Sequence, residues 1–253
     1  MTAPAEKGRG DYYSDYWRAP ELAMSEHVRW KADLTRAHPL VTAARSVLDV
    51  GCGSGQVLEA LRRPGLRLCG VEMAADAVRS LEQRGIEGRA VDLETAALPF
   101  RDGEFDVVLC YDVLEHVFAP GRLLGEIGRV AGSGYVFVCV PNVLNLFNRL
   151  LFLSGDFVDV MDTSHRGDEL FSNHIRLFSK RVFERLLSRS GLRVLERHYY
   201  FPERFSDSRF RAPPWLARVV TRPALHERWP SAIALGFLFV CSRSQALASG
   251  GAR

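Results

Sequence analysis

Three glycines fall within five residues, Gly51, Gly53 and Gly55, in the stretch SVLDVGCGSGQ, directly after an apolar run of strand length. A glycine-rich turn between strand and helix lets backbone N–H groups approach a ligand closely, and the helix start adds positive partial charge for an anionic group. A nucleotide-like ligand is expected. The spacing excludes two alternatives: a dinucleotide fingerprint needs glycine where Gln56 stands, and no Gly-Lys-Ser/Thr follows to make a phosphate loop. Further along, Asp112, Glu115 and His116 form a D-x-x-E-H group just past the fourth apolar run, and His174 lies in NHIRLFS before a helical stretch. The carboxyl ends of strands in an open parallel sheet are where such folds place ligands. Imidazole titrates near neutral pH, so His116 is the candidate base for a hydroxyl proton, with Asp112 and His174 facing the acceptor beside it.

The elements that must position these residues are legible as periodicity. Strand-length apolar runs recur at Ser46–Val50, Leu66–Glu72, Glu87–Leu93, Phe105–Cys110, Gly134–Val140, Leu192–Tyr200 and Ala232–Cys241. Between the first five, residues 56–63, 74–84 and 120–130 space apolar side chains three and four apart, and Pro120 with Gly121 suits a helix start. Alternation of this kind predicts a parallel sheet with both faces covered.

The stretch VLDVGCGSGQ resembles the first motif of class I S-adenosylmethionine-dependent methyltransferases, with Asp49 as its acidic residue. Glu72 ends the second strand, Asp92 and Leu93 follow the third, and FDVVLCYDVLEHV is similar to the family's fourth-strand motif. The resemblance implies a Rossmann-like, seven-stranded α/β methyltransferase fold, mostly parallel, with the last strand inserted antiparallel. It also implies S-adenosylmethionine as cofactor, bound by Asp49, Gly51, Gly53, Gly55, Glu72, Asp92, Leu93 and Tyr111. Glu72 would accept the ribose hydroxyls; Asp92 and Leu93 would meet the adenine. The D-x-x-E-H group with its later histidine resembles the E-x-x-E-H of metal-dependent small-molecule and small-RNA O-methyltransferases, which implies a divalent ion held by Asp112, Glu115, His116 and His174. The alternative is the common fourth-motif form, with Glu115 capping backbone and His116 lining a pocket. The activity so implied is methylation of a small molecule, at oxygen. The carboxyl half, from PNVLNLFNRLLFLSG to SGLRVLER, is similar to the MetW group, which implies a second possibility: a methyltransferase-fold subunit that activates a partner enzyme.

Composition sets the frame. Of 253 residues, 47% are hydrophobic and 25% charged, and the net charge is +3, the balance of an ordinary soluble globular chain. The basic residues are dispersed, so no nucleic-acid partner is expected. The amino terminus lacks an apolar signal core, and the run Ala232–Cys241 is about half the roughly 20 residues a membrane helix needs, so a cytoplasmic location without membrane contact is expected. Cys69, Cys110, Cys139 and Cys241 lie in or beside apolar runs and Cys52 beside the glycines; all five read as small fillers. The expected organisation is an amino-terminal cap over residues 1–45, a methyltransferase domain over 46–241 with insertions at about 153–173 and 201–230, and a loose tail at 242–253. The cap is expected over one edge of the sheet, with Tyr12, Tyr13, Tyr16 and Trp17 closing the site or stapling the cap helix, and Trp215 and Trp229 in the core, the alternative for these two being an acceptor pocket in the second insertion.

Overall fold

The computed structural model describes residues 24–153, 174–201 and 228–244. The tyrosine-rich segment, Trp215 and most of both insertions lie outside them. The described chain runs α1 (Glu26–Ala37), α2 (Pro39–Thr42), β1 (Ser46–Val50), α3 (Gln56–Ala60), β2 (Arg67–Glu72), α4 (Ala75–Gln83), β3 (Glu87–Ala90) and β4 (Val107–Tyr111). After β4 come a single 3₁₀ turn, Leu114–His116, then α5 (Pro120–Ala131), β5 (Tyr135–Pro141), α6 (Leu146–Leu153), α7 (Lys180–Arg189), β6 (Leu192–Tyr200), α8 (Pro230–Ile233) and β7 (Gly236–Arg243).

The strands form one seven-stranded sheet in the order β3-β2-β1-β4-β5-β7-β6. The pairs among β1 to β5 are parallel, and β7 runs antiparallel to both β5 and β6. Side chains alternate across it with period two. Leu48, Val50, Val108, Cys110, Val136 and Val138 pack on one side with Leu123, Ile127 and Phe183 of α5 and α7. Val47, Leu109, Tyr111, Phe137, Leu238 and Val240 pack on the other with Leu58, Leu81, Val28, Trp30 and Leu34. Helix starts follow local chemistry: Ser25 and Ser179 each accept a backbone N–H, from Val28 and Val182, and Pro120 opens α5.

Several expectations are corrected. The amino-terminal helix lies on a face of the sheet rather than over an edge: Lys31, Ala32 and Thr35 are buried beneath it, Lys31 and Thr35 reach Asp112 and Tyr111 at the end of β4, and Val28, Trp30 and Leu34 pack partly buried against the apolar layer that holds Tyr111. The last apolar run is two elements: Pro230 starts a helical turn, and the strand begins only at Gly236. It continues past Cys241, with Ser242 opposite Tyr135, so the first residues assigned to the tail belong to the sheet. The third strand ends at Ala90, three residues early. Trp229 is exposed, not core, and stacks with the Arg228 guanidinium. Four cysteines are buried as expected, while half-buried Cys52 covers Gly70, where an added Cβ would meet its Sγ at 2.6 Å.

Candidate active site

The glycine turn closes β1 and opens α3. Gly51, Gly53 and Gly55 all have positive φ, at 73°, 50° and 73°, which side-chain-bearing residues rarely adopt. Gly51 and Gly55 are also hemmed in: a Cβ would meet Val113 Cγ2 at 2.4 Å on Gly51, and Leu81 Cδ2 at 2.1 Å on Gly55. The backbone is thus held in a bend that only glycine fits.

Glu72, at the end of β2, is buried with its carboxylate in that bend. Its Oε2 accepts the Gly53 N–H at 3.0 Å, and its Oε1 accepts the Met73 N–H at 2.7 Å. Asp49, one strand over, is buried too. Burial pushes its carboxyl up to about 7; Glu72 adds to this and the Lys31 ammonium opposes it. Two acids and a tight backbone loop therefore share one end of the sheet. Asp92 is in the neighbouring loop, where its carboxylate accepts the Glu94 N–H at 2.9 Å and the Thr95 hydroxyl at 3.0 Å, so both of its oxygens are engaged locally. Leu93 is buried, and its carbonyl accepts from Arg122 at 2.8 Å.

At the end of β4 the chain turns sharply. Asp112 has φ 54°, in the left-handed region that Asp tolerates better than most residues, and its N–H bonds to the Cys139 carbonyl. Its carboxylate pairs with Lys31 of α1, and His27 Nδ1 stands 3.7 Å away. Burial raises the Asp112 pKa, but Lys31 and His27 outweigh it and hold the carboxyl at about 2. Burial likewise opposes the charge on Lys31, yet Asp112 more than offsets that and keeps the ammonium above its ordinary range. His27 goes the other way, its pKa lowered by burial despite Asp112. Beside this pair, the Tyr111 hydroxyl shares a 2.7 Å hydrogen bond with Thr35, which is also bonded to the Lys31 carbonyl.

The expected four-residue metal set is divided. Glu115, His116 and His174 present ligand atoms within 4.8 Å of one another, and the two imidazoles are 4.8 Å apart between centroids. Asp112 instead groups with His27 and Cys139. Glu115 is fully buried, both of its carboxylate oxygens are buried with no hydrogen-bond partner among the described residues, and burial together with Asp112 drives its pKa well upward. Its carbonyl accepts the N–H groups of Ile175 and Arg176, which ties the His174 segment to the end of β4.

Three residues escaped the sequence reading: His27, Lys31 and Thr35. They recur every fourth residue on one helix and so form one stripe. That spacing is visible in the sequence, but a charged helix stripe normally faces water.

A mixed α/β sheet of this order, with a glycine bend and an acidic second-strand end, is an architecture that nucleotide-type binding folds share, and such folds place ligands at the carboxyl ends of their strands. Residues 24–197 match the family described as methyltransferase domain, and the chain belongs to that family. The ubiquinone biosynthesis O-methyltransferase of Albidiferax ferrireducens is 31% identical over 146 residues, covering 55% of this chain and 57% of that protein. The protein of the same name from Thiobacillus denitrificans is 37% identical over 109 residues, 40% of this chain and 46% of its own length. The chain spans about half the length of these curated relatives. Among solved structures, an S-adenosylmethionine-dependent methyltransferase from Archaeoglobus fulgidus aligns with a TM-score of 0.59 at 19% identity, over 85% of this chain and 93% of that one. The [4+2]-cyclase SpnF aligns with a TM-score of 0.56 at 18% identity, over 90% of this chain and 85% of its own. These structures establish the seven-stranded fold; a cyclase among them means that fold alone does not fix the reaction.

Proposed function

We propose that the protein transfers a methyl group from S-adenosylmethionine to a small-molecule acceptor, at oxygen. The observation that carries this reading is the buried Glu72 carboxylate seated in a bend that only glycine fits. The donor set suits that cofactor: a carboxylate for the ribose diol, backbone N–H groups and the Lys31 ammonium for anionic oxygens, Asp49 for the ammonium, and apolar Leu93 and Val113 for the adenosine surface. When bound, S-adenosylmethionine supplies an electrophilic methyl on a sulfonium. The chain's own part is alignment and exclusion of water. Asp112, held as a carboxylate by Lys31, orients this end of the site, and His116 accepts the acceptor's hydroxyl proton. Oxygen is favoured because relatives over about half their length are named O-methyltransferases, which also favours an enzyme over a partner-activating subunit.

Asp92, with Leu93, serves the adenine: each Asp92 oxygen accepts one local hydrogen bond, which fixes the loop and leaves further lone pairs for the base edge. A second reading places a divalent ion on Glu115, His116 and His174, favoured by a fully buried carboxylate whose two oxygens have no hydrogen-bond partner among the described residues, beside two imidazoles; it replaces His116 as the base, because a neutral imidazole has a single lone-pair nitrogen to give. Among the described residues no helix is long and apolar enough to cross a membrane.

The test is calorimetric titration with S-adenosylmethionine of the full chain and of Glu72→Ala, followed by a radiolabelled methyl screen on hydroxylated aromatics with and without chelator. Unchanged affinity in Glu72→Ala overturns the site. Activity indifferent to chelator removes the metal.

A further inference from the structure

Strand β6 pairs with β7 through an irregularity between Val194 and Glu196. Before it, Leu192 and Val194 pack into the layer with Phe183 and Leu187. After it the parity inverts: Arg197 and Tyr199 lie opposite Phe239 and Phe237 of that same layer, with the Arg197 guanidinium over the Phe239 ring. The one-residue bulge at Leu195 therefore turns Glu196, His198 and Tyr200 to the opposite face, the one α1 covers. All three meet the amino-terminal helices there. The Tyr200 ring lies 4.5 Å from His27 and 5.3 Å from Trp30, between centroids. At the other end of α1, Glu196 Oε2 stands 3.2 Å from His38 Nε2 and 3.1 Å from His198 Nε2.

His38 joins α1 to α2 and lies on the same stripe as His27, Lys31 and Thr35, eleven residues after the first. Its Nδ1 accepts the Leu40 N–H at 3.2 Å, so the ring proton sits on Nε2 and points at Glu196. A cation bound at Nε2 would leave both ring nitrogens as acceptors, which a neutral imidazole cannot provide. The His38, Glu196 and His198 cluster is therefore a hydrogen-bonded clamp and not a cation site.

We propose that the β6 bulge builds a seat, made of Glu196, His38 and Tyr200, that fixes α1 on the sheet and so sets how Lys31 and Thr35 reach Asp112 and Tyr111. These are positioning residues, remote from the reacting atoms. The second half of this proposal rests on the cofactor reading above.

The experiment uses the full chain and three variants. Glu196→Ala removes the clamp; Glu196→Gln keeps an oxygen for both imidazole N–H groups; His38→Asn retains the helix cap but cannot reach Glu196. Hydrogen exchange is followed in peptides covering Glu26–Ala37 and in β4 and β5, without ligand, and S-adenosylmethionine is titrated calorimetrically. In Glu196→Ala and His38→Asn, exchange of α1 should rise about tenfold relative to β4 and β5, and the S-adenosylmethionine Kd about fivefold, with Glu196→Gln close to the parent. Unchanged α1 exchange in Glu196→Ala, or exchange that rises equally in the strands, overturns the seat. Faster α1 exchange with an unchanged Kd overturns its coupling to the site. If the parent chain binds no S-adenosylmethionine, the cofactor reading fails, while the exchange arm still decides the seat.

Discussion

Replacing Asp49 with Asn should stabilise the free protein and weaken its grip on the cofactor, two effects of opposite sign from one carboxyl. The group is buried on β1 with its pKa raised from 3.8 to about 7. Between those values the folded state binds more protons than the unfolded chain, so stability from this group falls as pH rises from about 4 to about 7. The full penalty, about 4 kcal/mol from a shift of that size, is then present at pH 8. That shift already includes the favourable Lys31 neighbour; burying an amide in place of the carboxyl costs about 1 to 3 kcal/mol, so a net gain of about 2 kcal/mol is expected. Urea denaturation at pH 8 measures it, and repeating the series towards pH 4 should shrink it. Calorimetry at pH 8 should show the variant binding S-adenosylmethionine about tenfold or more weakly, because an ionised carboxylate no longer meets the cofactor's ammonium. For the parent, affinity should rise with pH through 7, with proton release on binding. A variant less stable than the parent at pH 8 would refute the burial argument.

Glu72→Ala should lower S-adenosylmethionine affinity by about tenfold or more, since charge-assisted hydrogen bonds are worth about 1.5 to 3 kcal/mol each; calorimetry reads it. Gly51→Ala should destabilise by about 2 to 4 kcal/mol, from a Cβ 2.4 Å from Val113 Cγ2 at a φ of 73°, and adding Val113→Ala should recover part of it in a denaturation cycle. His116→Gln should reduce methyl transfer by about a hundredfold with little change in S-adenosylmethionine affinity, a split that separates base from binding residue.

The sheet was legible because its signal is apolar periodicity, which burial enforces directly. β1 and β6 fall on their expected bounds, and α5 runs one residue past its own. The glycine bend and Glu72 were legible for a related reason: three positive-φ positions at that spacing admit little but glycine, and a carboxylate that closes a buried strand has few solvated places to go. Asp92 and Asp112 were legible as acids at the right edge but not as to their partners. For Asp92 the partners are the Glu94 N–H and the Thr95 hydroxyl, a turn preference common to any loop Asp. For Asp112 the partner is Lys31, 81 residues earlier, and no local pattern encodes that distance. Pro230 marks where periodicity misleads, since apolar residues on either side of a helical turn read as one run.

What the alternating strands and helices leave unfinished, α1 completes. The carboxyl ends of β1, β2 and β4 bring Asp49, Glu72, Asp112 and Glu115 together, and a cluster of four acids is unstable against its own repulsion. Lys31 is the buried cation that α1 brings to it: it pairs with Asp112 and opposes the rise at both Asp49 and Glu115. The consequence is a division of states, with Asp112 ionised and Glu115 pushed towards its neutral form, that depends on a helix outside the alternating core. A truncation beginning after Ala37 would keep the apolar strands, lose Lys31, and so leave the acids at the end of β4 without their counter-charge. The cap is in that sense part of the site's electrostatics, and the way β6 seats it belongs to the same account.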